Sequence, residues 1–207
     1  MTFFELITNV LHYVKDNTLE TIAVSSGIFG VWLAKKENIW LYPVGIVSVS
    51  IWVYLCWVGE LFGQSLINLF FLIMNGYGWY NWSRKNLENK NEIVVKRNSF
   101  NQNILVVVVS VLLTVILYYC LLPFQDSAEL LRYVGLESFI TALNFVAMWL
   151  MAWKKVENWI LWIIGDLLCI PLFIHKGYYI GVVQFSVFII IAYLGYQEWK
   201  SKLITKA

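Results

Sequence analysis

Seven apolar stretches, each close to the length needed to cross a lipid bilayer, follow one another along most of this chain. A transmembrane helix needs about 20 mostly apolar residues. Each stretch is continuously apolar, whereas a membrane barrel strand alternates, so its backbone has to hydrogen-bond within a helix. The sequence therefore predicts an all-α integral membrane protein with seven transmembrane helices. The stretches are residues 18–34, 38–58, 61–82, 103–123, 136–153, 157–175 and 178–199.

Composition and cysteine placement exclude several classes of protein. Hydrophobic residues make up 60% of the chain and charged residues 14%, whereas soluble domains have roughly half and a quarter. Cys56, Cys120 and Cys169 lie in apolar stretches without ligand-like spacing, so we expect neither a disulfide nor a metal site. Residues 1–17 lack the basic start of a cleavable signal peptide. They are interpreted as an amphipathic lead-in at the membrane surface.

A nine-residue pattern occurs twice. Glu37–Gly45 has a counterpart 120 residues later in Glu157–Gly165, and a Trp-Leu pair precedes both copies. The pattern predicts two parallel three-helix repeats in a 3+1+3 arrangement like that of SWEET transporters, with substrate bound between the repeats. The predicted units are a first repeat at 18–82, a cytoplasmic linker at 83–102, a linking helix at 103–123 and a second repeat at 136–199.

The basic residues are distributed unequally between the two sets of connectors. With seven spans, 12 of the 15 Lys and Arg residues fall on one side, and such an excess marks the cytoplasmic side. We therefore predict that the N-terminus lies outside and the C-terminus lies in the cytoplasm. Trp82 and Trp199 lie beside basic residues at predicted helix ends, and they are interpreted as aromatic-belt anchors at the headgroups.

Asp166 is the most informative polar residue within a predicted span, because a carboxylate there is costly unless water, a partner or a cation accompanies it. It could be the counter-charge for a cationic substrate, or a structural carboxylate bonded to a neighbouring helix or facing an aqueous entrance. Asn158, Trp162 and Asp166 are spaced by four and therefore share a helix face. Such a face can hold a ligand with hydroxyl groups and an aromatic cation.

Three amides in other predicted helices are further candidates for substrate contacts, since an amide both donates and accepts hydrogen bonds. They are Gln64, Asn68 and Gln184. The alternative role for each is a hydrogen bond between helices, worth about 1 kcal/mol. Weaker candidates for the same lining are Asn144, Asn75, Ser48 and Ser50.

Nothing in the sequence indicates catalysis. His12 and His175 are not obviously paired, and no catalytic triad order, phosphate loop or metal spacing is present. We expect a protein that is not an enzyme and that moves its ligand passively or with a coupled ion. A seven-helix receptor or sensor is the alternative from another class, and the internal repeat counts against it. No lysine lies between Tyr178 and Glu198, which argues against a retinal-type photoreceptor.

Two motifs resemble the Pnu family of vitamin transporters. Met74–Trp82, with the letters MNGYGWYNW, is similar to the family's Tyr-Gly-Trp-Tyr-x-Trp signature. Glu157–Asp166, with the letters ENWILWIIGD, is similar to the motif of the sixth helix, and Ile170-Pro171-Leu172 and Lys176-Gly177 follow it. The resemblance extends over all seven predicted helices.

The resemblance implies a fold, an assembly and a site. Members have seven helices in a 3+1+3 arrangement, form homotrimers in the bacterial inner membrane and work by facilitated diffusion, with the vitamin trapped by cytosolic phosphorylation. The Asn and Trp that contact substrate fall on Asn158 and Trp162. A third-helix amide falls on Asn68 or Gln64, and many relatives carry an acid at the latter position. We expect a vitamin, membrane lipid and further copies of the chain as partners, and neither nucleic acid nor a cofactor.

The resemblance leaves the vitamin open. Relatives move nicotinamide riboside, thiamine or riboflavin. The first two are aromatic cations, which suits a site built from Asp166 and Trp162, whereas riboflavin is neutral and bulkier. Nicotinamide riboside, a precursor for NAD biosynthesis, is favoured because that branch of the family is the commonest. Thiamine is the second candidate.

Overall fold

The computed structural model describes residues 17–85, 93–124, 128–175 and 179–204, and these ranges contain seven long α-helices. A short 3-10 turn follows the fourth helix at Leu122–Phe124. The seven-helix prediction is therefore confirmed as an all-helical fold. The helices are α1 (Thr18–Lys35), α2 (Leu41–Val58), α3 (Phe62–Ser83), α4 (Phe100–Leu121), α5 (Ala128–Ala152), α6 (Asn158–His175) and α7 (Tyr179–Ile204).

Five of these helices contain a segment long and apolar enough to cross a membrane, and α1 and α3 are not among them. The third helix is more polar because Ser65, Asn75 and Asn81 lie in it, but all three are buried against other helices. Much of its polarity is therefore directed into the protein. The five apolar segments are Leu41–Val58, Phe100–Phe124, Tyr133–Ala152, Asn158–His175 and Gly181–Leu203.

Two helices begin earlier than the apolar stretches indicate. α4 starts at Phe100 because Ser99 forms a capping box, in which its hydroxyl accepts from the Gln102 N–H and the Gln102 side chain accepts from the Ser99 N–H. α5 starts at Ala128, eight residues before the predicted 136. Hydropathy misses such polar first turns. The predicted lead-in at 1–17 lies outside the described residues except for Asn17.

Six of the helices form a closed ring, and the fourth lies outside it. Around the ring, α1 packs on α2, α2 on α3, α3 on α5, α5 on α6, α6 on α7, and α7 on α1. The fourth helix packs mainly on α5. The first three helices and the last three therefore meet along two seams, α1 with α7 and α3 with α5. The centre of this ring is where a ligand could be enclosed.

The connectors before α2 and α6 share one backbone geometry. Glu37 and Lys154 both have a positive φ, at 52° and 51°, and they lie 117 residues apart. The Glu37 N–H donates to Ala34 O, and the Lys154 N–H donates in the same way to Met151 O. The structural spacing is thus three residues shorter than the 120-residue spacing of the sequence pattern. The nine-residue pattern is out of register with the structure.

Two tryptophans join the halves at these connectors. The Trp82 Nε1–H donates to the carbonyls of Met151 and Ala152, each at 3.2 Å. The Trp199 Nε1–H donates to Lys35 O at 3.2 Å. Both indoles are buried, with 5% and 0% exposure, so their interpretation as headgroup anchors is wrong. The last carbonyls of a helix have no hydrogen-bond partner within the helix, and the two indole N–H groups supply one.

A cluster of charged side chains lies beside the α1–α2 and α5–α6 connectors. The Glu37 carboxylate accepts from Lys154 Nζ at 3.0 Å and from Lys202 Nζ at 2.7 Å. Lys154 also lies 4.4 Å from the centre of a Trp82 ring. Burial raises the pKa of Glu37, but the hydrogen bonds and charges of Lys202 and Lys154 outweigh burial and hold the pKa below its ordinary value of 4.5. The ionised carboxylate therefore links the α5–α6 connector and α7 to the α1–α2 connector.

Replacing Glu37 by Gln is expected to lower the free energy of unfolding by about 2 kcal/mol near neutral pH, because a charged hydrogen bond is worth about 1.5–3 kcal/mol. The folded-state pKa of Glu37 is lowered, so its contribution is present above pH 4.5 and is lost as the pH falls below that value. Unfolding of the wild-type and Glu37→Gln proteins in detergent, compared from about pH 6 to about pH 3, should show the difference shrink.

Glu198→Gln is the matched control for this experiment. It removes the 3.2 Å ion pair with Lys36, whose side chain is 47% exposed, and a longer 4.0 Å pair with Lys202, whose side chain is 38% exposed. Exposed pairs contribute only about 0–1 kcal/mol, so this substitution should cost less than half as much. Equal costs for the two substitutions, or a Glu37 effect that does not change with pH, would contradict the role assigned to the cluster.

Candidate substrate cavity

A cavity of about 260 Å³ lies at the centre of the helix ring. All six ring helices contribute to its wall, and α4 does not. α1 and α2 contribute mainly small residues, among them Gly27, Gly30 and Gly45. Aromatic side chains come from α3, α6 and α7. They are Phe71, Trp159, Trp162, Phe185 and Phe188.

The cavity has few polar lining residues, and the only charged group among those described is a carboxylate. Ser48, Asn75, Asn144 and Asp166 are its polar residues, and no Lys or Arg of the described chain lines it. The Ser48 hydroxyl donates to Ala23 O at 2.7 Å, so that residue already ties α2 to α1. The amides and the carboxylate are the groups that remain for a ligand. A mostly apolar wall with a few convergent polar groups is typical of a small-molecule site.

Asp166 is buried in the wall of this cavity. Its side chain is part of a residue only 4% exposed, and it forms no ion pair or hydrogen bond with a side chain of the described residues. Of the two roles that the sequence left open, a structural carboxylate bonded to a neighbouring helix is therefore the less favoured. A buried carboxylate that lacks a protein counter-charge suits a cationic ligand.

Trp162 and Asp166 both line the cavity, as their spacing of four along α6 predicts. The Trp162 ring is half-buried and its centroid is 6.4 Å from that of Phe71, in a tilted arrangement. These two rings offer apolar faces on which a flat ring can stack. Asn158, one turn earlier, does not line the cavity. It is fully buried at the start of α6, where its Nδ2 donates to Lys155 O.

Asn75 and Asn144 enter the cavity because glycines face them. The Asn75 side chain lies directly on Gly45, where a Cβ would collide with it. Asn144 Oδ1 would be 2.6 Å from a Cβ at Gly165. The Asn144 Oδ1 atom is buried and accepts no hydrogen bond from the part of the chain that the structure describes, whereas Asn75 Nδ2 donates to Phe71 O at 2.9 Å. An unpaired buried oxygen is unusual and marks a group that a ligand can satisfy.

Three other predicted amides do not line this cavity. Asn68 Nδ2 donates to the backbone oxygen of Gln64 at 2.9 Å, and the Gln64 side chain is exposed. Gln184 is half-buried in α7. Contacts from these residues and from Asn158 stay predictions. From the sequence, Asn75 was a weaker candidate than Asn68. The available signal for Asn75 was Gly45, whose lack of a side chain leaves room for the Asn75 amide.

The two halves exchange large and small residues around the cavity. With the structural spacing of 117 residues, Gly27 corresponds to Asn144 and Ser48 to Gly165. In the first half, Gly27 on α1 faces Ser48 on α2, and a Cβ at Gly27 would be 3.3 Å from Ser48 Oγ. In the second half, the glycine and the larger residue are interchanged: Asn144 on α5 faces Gly165 on α6. The same spacing matches Asp166 with Val49. The groups that could recognise a ligand are therefore concentrated in the second half.

Aromatic side chains close the connector end of the bundle. Trp159 and Trp199 meet edge to face with centroids 5.4 Å apart, and Tyr42 and Trp82 do so at 5.2 Å. Tyr42, Trp159 and Trp199 are fully buried. Because Trp159 also lines the cavity, this layer separates the cavity from the charged cluster around Glu37.

Comparison with known proteins places this arrangement in context. A family model described as the nicotinamide mononucleotide transporter matches residues 17–201. The nicotinamide riboside transporter PnuC of Escherichia coli (strain K12) is 26% identical over 96% of this chain and 94% of that protein. The riboflavin/roseoflavin transporter RibM of Streptomyces davaonensis is 23% identical over 84% of this chain and 80% of that protein.

A solved structure supports the same fold. The crystal structure of the vitamin B3 transporter PnuC matches with a TM-score of 0.74 at 24% identity, covering 100% of this chain and 94% of that chain. At this level of identity, the likeness concerns the arrangement of the helices. The ligand has to be argued from the cavity of this chain.

Proposed function

The chain belongs to the nicotinamide mononucleotide transporter family, and from that premise we propose that it is a membrane transporter that imports nicotinamide riboside. The family predicted from the two motifs is thereby confirmed, and it is a family of transporters rather than enzymes or receptors. One relative described above is named as a transporter of nicotinamide riboside and another as a transporter of riboflavin and roseoflavin. The choice between ligands rests on the cavity.

One observation carries the choice of the riboside: the only ionisable group among the described residues that line the cavity is the carboxylate of Asp166. Nicotinamide riboside has a pyridinium cation, which a carboxylate attracts. Nicotinamide mononucleotide adds a phosphate, and its negative charge would be repelled by Asp166 and would find no Lys or Arg in this lining. The cavity therefore favours the dephosphorylated compound.

The volume of the cavity favours the assignment of a ligand smaller than riboflavin. Its volume of about 260 Å³ lies just below the range of roughly 300–1,000 Å³ that is usual for drug-sized ligands. A nicotinamide ring and a ribose are smaller than a three-ring flavin with its ribityl chain, and the flavin has no cation for Asp166. Thiamine is an aromatic cation and remains the second candidate.

In the proposed complex, the pyridinium ring stacks on Trp162, with its charge facing Asp166. A cation over an indole face gains about 0.5–2 kcal/mol. The unpaired Asn144 Oδ1 accepts a hydrogen bond from the carboxamide or a ribose hydroxyl, and the Asn75 amide is a further polar contact. The glycines of α1 and α2 leave the space opposite these groups.

The proposal includes the arrangement of the helices in the membrane. α1–α3 and α5–α7 are two parallel repeats and α4 is the linking helix between them, which is supported by the matching connectors and by the two seams of the ring. Lys36, Lys154 and Lys202 lie at the junction of the connectors, so we place this end in the cytoplasm of a bacterium. The N-terminus is then outside and the C-terminus inside.

Transport is proposed to be facilitated diffusion, in which the repeats rock about the occupied cavity. Cytosolic phosphorylation traps the product, since a phosphorylated vitamin is a poor ligand for an acidic cavity. The chain is proposed to form a homotrimer in the inner membrane, as its resemblance to the Pnu family implies. None of these steps requires a cofactor.

Purified protein in detergent is expected to bind nicotinamide riboside at least about 10-fold more tightly than nicotinamide mononucleotide, a difference of about 1.4 kcal/mol. Calorimetry with the riboside, the mononucleotide, thiamine and riboflavin would measure this order directly. Uptake of the intact riboside into proteoliposomes would separate transport from conversion. Tighter binding of the mononucleotide or of riboflavin would contradict the assignment based on Asp166.

A further inference from the structure

A second and larger cavity, of about 550 Å³, lies between α4 and the ring. Its body is apolar: Val109 and Leu113 line it from α4, Phe145 and Trp149 from α5, and Phe70 from α3. It is distinct from the central cavity, because the two linings have no residue in common. The transport cycle proposed above makes no use of it.

The outer surface of α4 indicates what surrounds this cavity. Val107, Val111 and Val115 are all more than half exposed, on a helix of 22 residues that is apolar enough to span a membrane. Such a surface is in contact with lipid chains rather than water. The groove between α4 and α5 therefore opens toward the acyl region of the bilayer.

One end of the groove is polar and basic. Asn98, Gln102 and Lys155 line it there, next to the exposed side chains of Lys96 and Arg97. These residues precede or begin α4, or lie in the connector before α6, so they are at the membrane boundary. An apolar groove that ends in a basic pocket is complementary to an anionic amphiphile.

The polar end contains a hydrogen-bond donor without a partner. Asn98 Nδ2 is buried and donates to no acceptor among the described residues, although the Asn98 backbone N–H donates to a Glu157 carboxylate oxygen at 3.0 Å. Lys155 Nζ donates to Arg97 O at 3.2 Å and to Gln102 Oε1 at 3.1 Å. Both acceptors are neutral, so the Lys155 ammonium has no anionic partner among the residues that the structure describes.

We propose that this groove binds an anionic phospholipid. One acyl chain lies along α4 against Val109 and Phe145, and the phosphate accepts hydrogen bonds from Asn98 Nδ2 and Lys155 Nζ. A lipid there would fill the gap between α4 and α5 and hold the linking helix against the ring. With the orientation proposed above, the lipid belongs to the cytoplasmic leaflet.

Lipid binding is measured on the full-length protein after delipidation in detergent, by native mass spectrometry with dioleoyl phosphatidylglycerol and dioleoyl phosphatidylcholine. The wild-type protein is expected to bind phosphatidylglycerol at least about 10-fold more tightly, since a desolvated charge contact is worth about 1.4 kcal/mol or more. Equal binding of the two lipids would overturn the proposal.

Two kinds of variant locate the site. Asn98→Asp keeps the shape of the side chain but puts a negative charge at the phosphate, and Lys155→Gln removes the cation. Each should reduce phosphatidylglycerol binding to the level of phosphatidylcholine. Lys200→Gln is the matched control for the loss of a charge, because Lys200 lies on α7 and lines neither cavity. It should leave the preference unchanged.

The acyl part of the site has its own pair of variants on α4. Val109→Trp fills the groove, whereas Val107→Trp places the same ring on the 62% exposed outer face. The first should weaken binding of both lipids at least about 10-fold and the second should not. If Val109→Trp leaves lipid binding unchanged, the groove is not the site. If it instead separates an oligomer, a second copy of the chain occupies the groove and the proposal fails.

Discussion

Replacing Asp166 by Asn is expected to weaken binding of nicotinamide riboside by about 30-fold or more. The substitution keeps the size of the side chain and removes the only charge that the described residues contribute to the cavity lining. Loss of one partner of a buried, hydrogen-bonded charge pair costs about 2–5 kcal/mol, and 2 kcal/mol corresponds to about a 30-fold change in Kd. Calorimetry on the purified wild-type and Asp166→Asn proteins measures the difference.

The reduced form of the ligand provides a test of the charge itself. Dihydronicotinamide riboside keeps the ribose and the carboxamide but has a neutral ring, so Asp166→Asn should change its affinity little. Glu20→Gln removes a carboxylate from the first turn of α1, away from the lining of the cavity, and should change neither ligand. If both forms lose the same affinity with Asp166→Asn, the residue is structural and the substrate assignment loses its main support.

Gly78→Ala is expected to destabilise the fold by about 3 kcal/mol, at the upper end of the range for overpacked cores. A Cβ at this position of α3 would lie 2.6 Å from the Tyr42 hydroxyl oxygen and would collide with the ring as well. Tyr42 is fully buried and packs edge to face on Trp82, so the ring has no room to retreat. Thermal or denaturant unfolding in detergent measures the loss.

Gly76→Ala is the control for this prediction, two residues away on the same helix. No atom of the described residues lies within 4 Å of a Cβ at Gly76, and Ala is preferred to Gly within a helix by about 0.5–1 kcal/mol. This variant should therefore be as stable as the wild-type protein or more stable. If the two variants behaved alike, helix propensity rather than the contact with Tyr42 would decide their stability.

The sequence pattern correctly predicted that two residues of α6, Trp162 and Asp166, face the same space, and it did less well for residues of other helices. Trp162 and Asp166 could be paired from their spacing because a helix places residues four apart on one face. Asn158 has the same spacing, but it does not line the cavity, because it is fully buried at the first residue of α6 and donates to Lys155 O. Spacing along one helix gives the face of a residue and not its depth relative to the other helices.

The repeat shows a similar limit. The pattern of Glu37–Gly45 and Glu157–Gly165 predicted a duplication, but letter matching aligned the two segments with a shift of three residues relative to the matching connectors of the structure. The register is set by backbone hydrogen bonds and by the positive φ of Glu37 and Lys154. Two such different side chains can occupy that turn because the backbone, not the side chain, is what the halves share.

The sequence by itself determined the helices, because a bilayer-length apolar stretch has to satisfy its own backbone groups. It also determined the family, through two motifs. The tertiary structure alone decided which polar residues meet. Gly45 and Gly165 admit Asn75 and Asn144 to the cavity, and the buried Trp82 and Trp199 bind backbone carbonyls across the seams. Those contacts join residues far apart in the chain, and their geometry depends on side-chain volume at both partners, which no local pattern records.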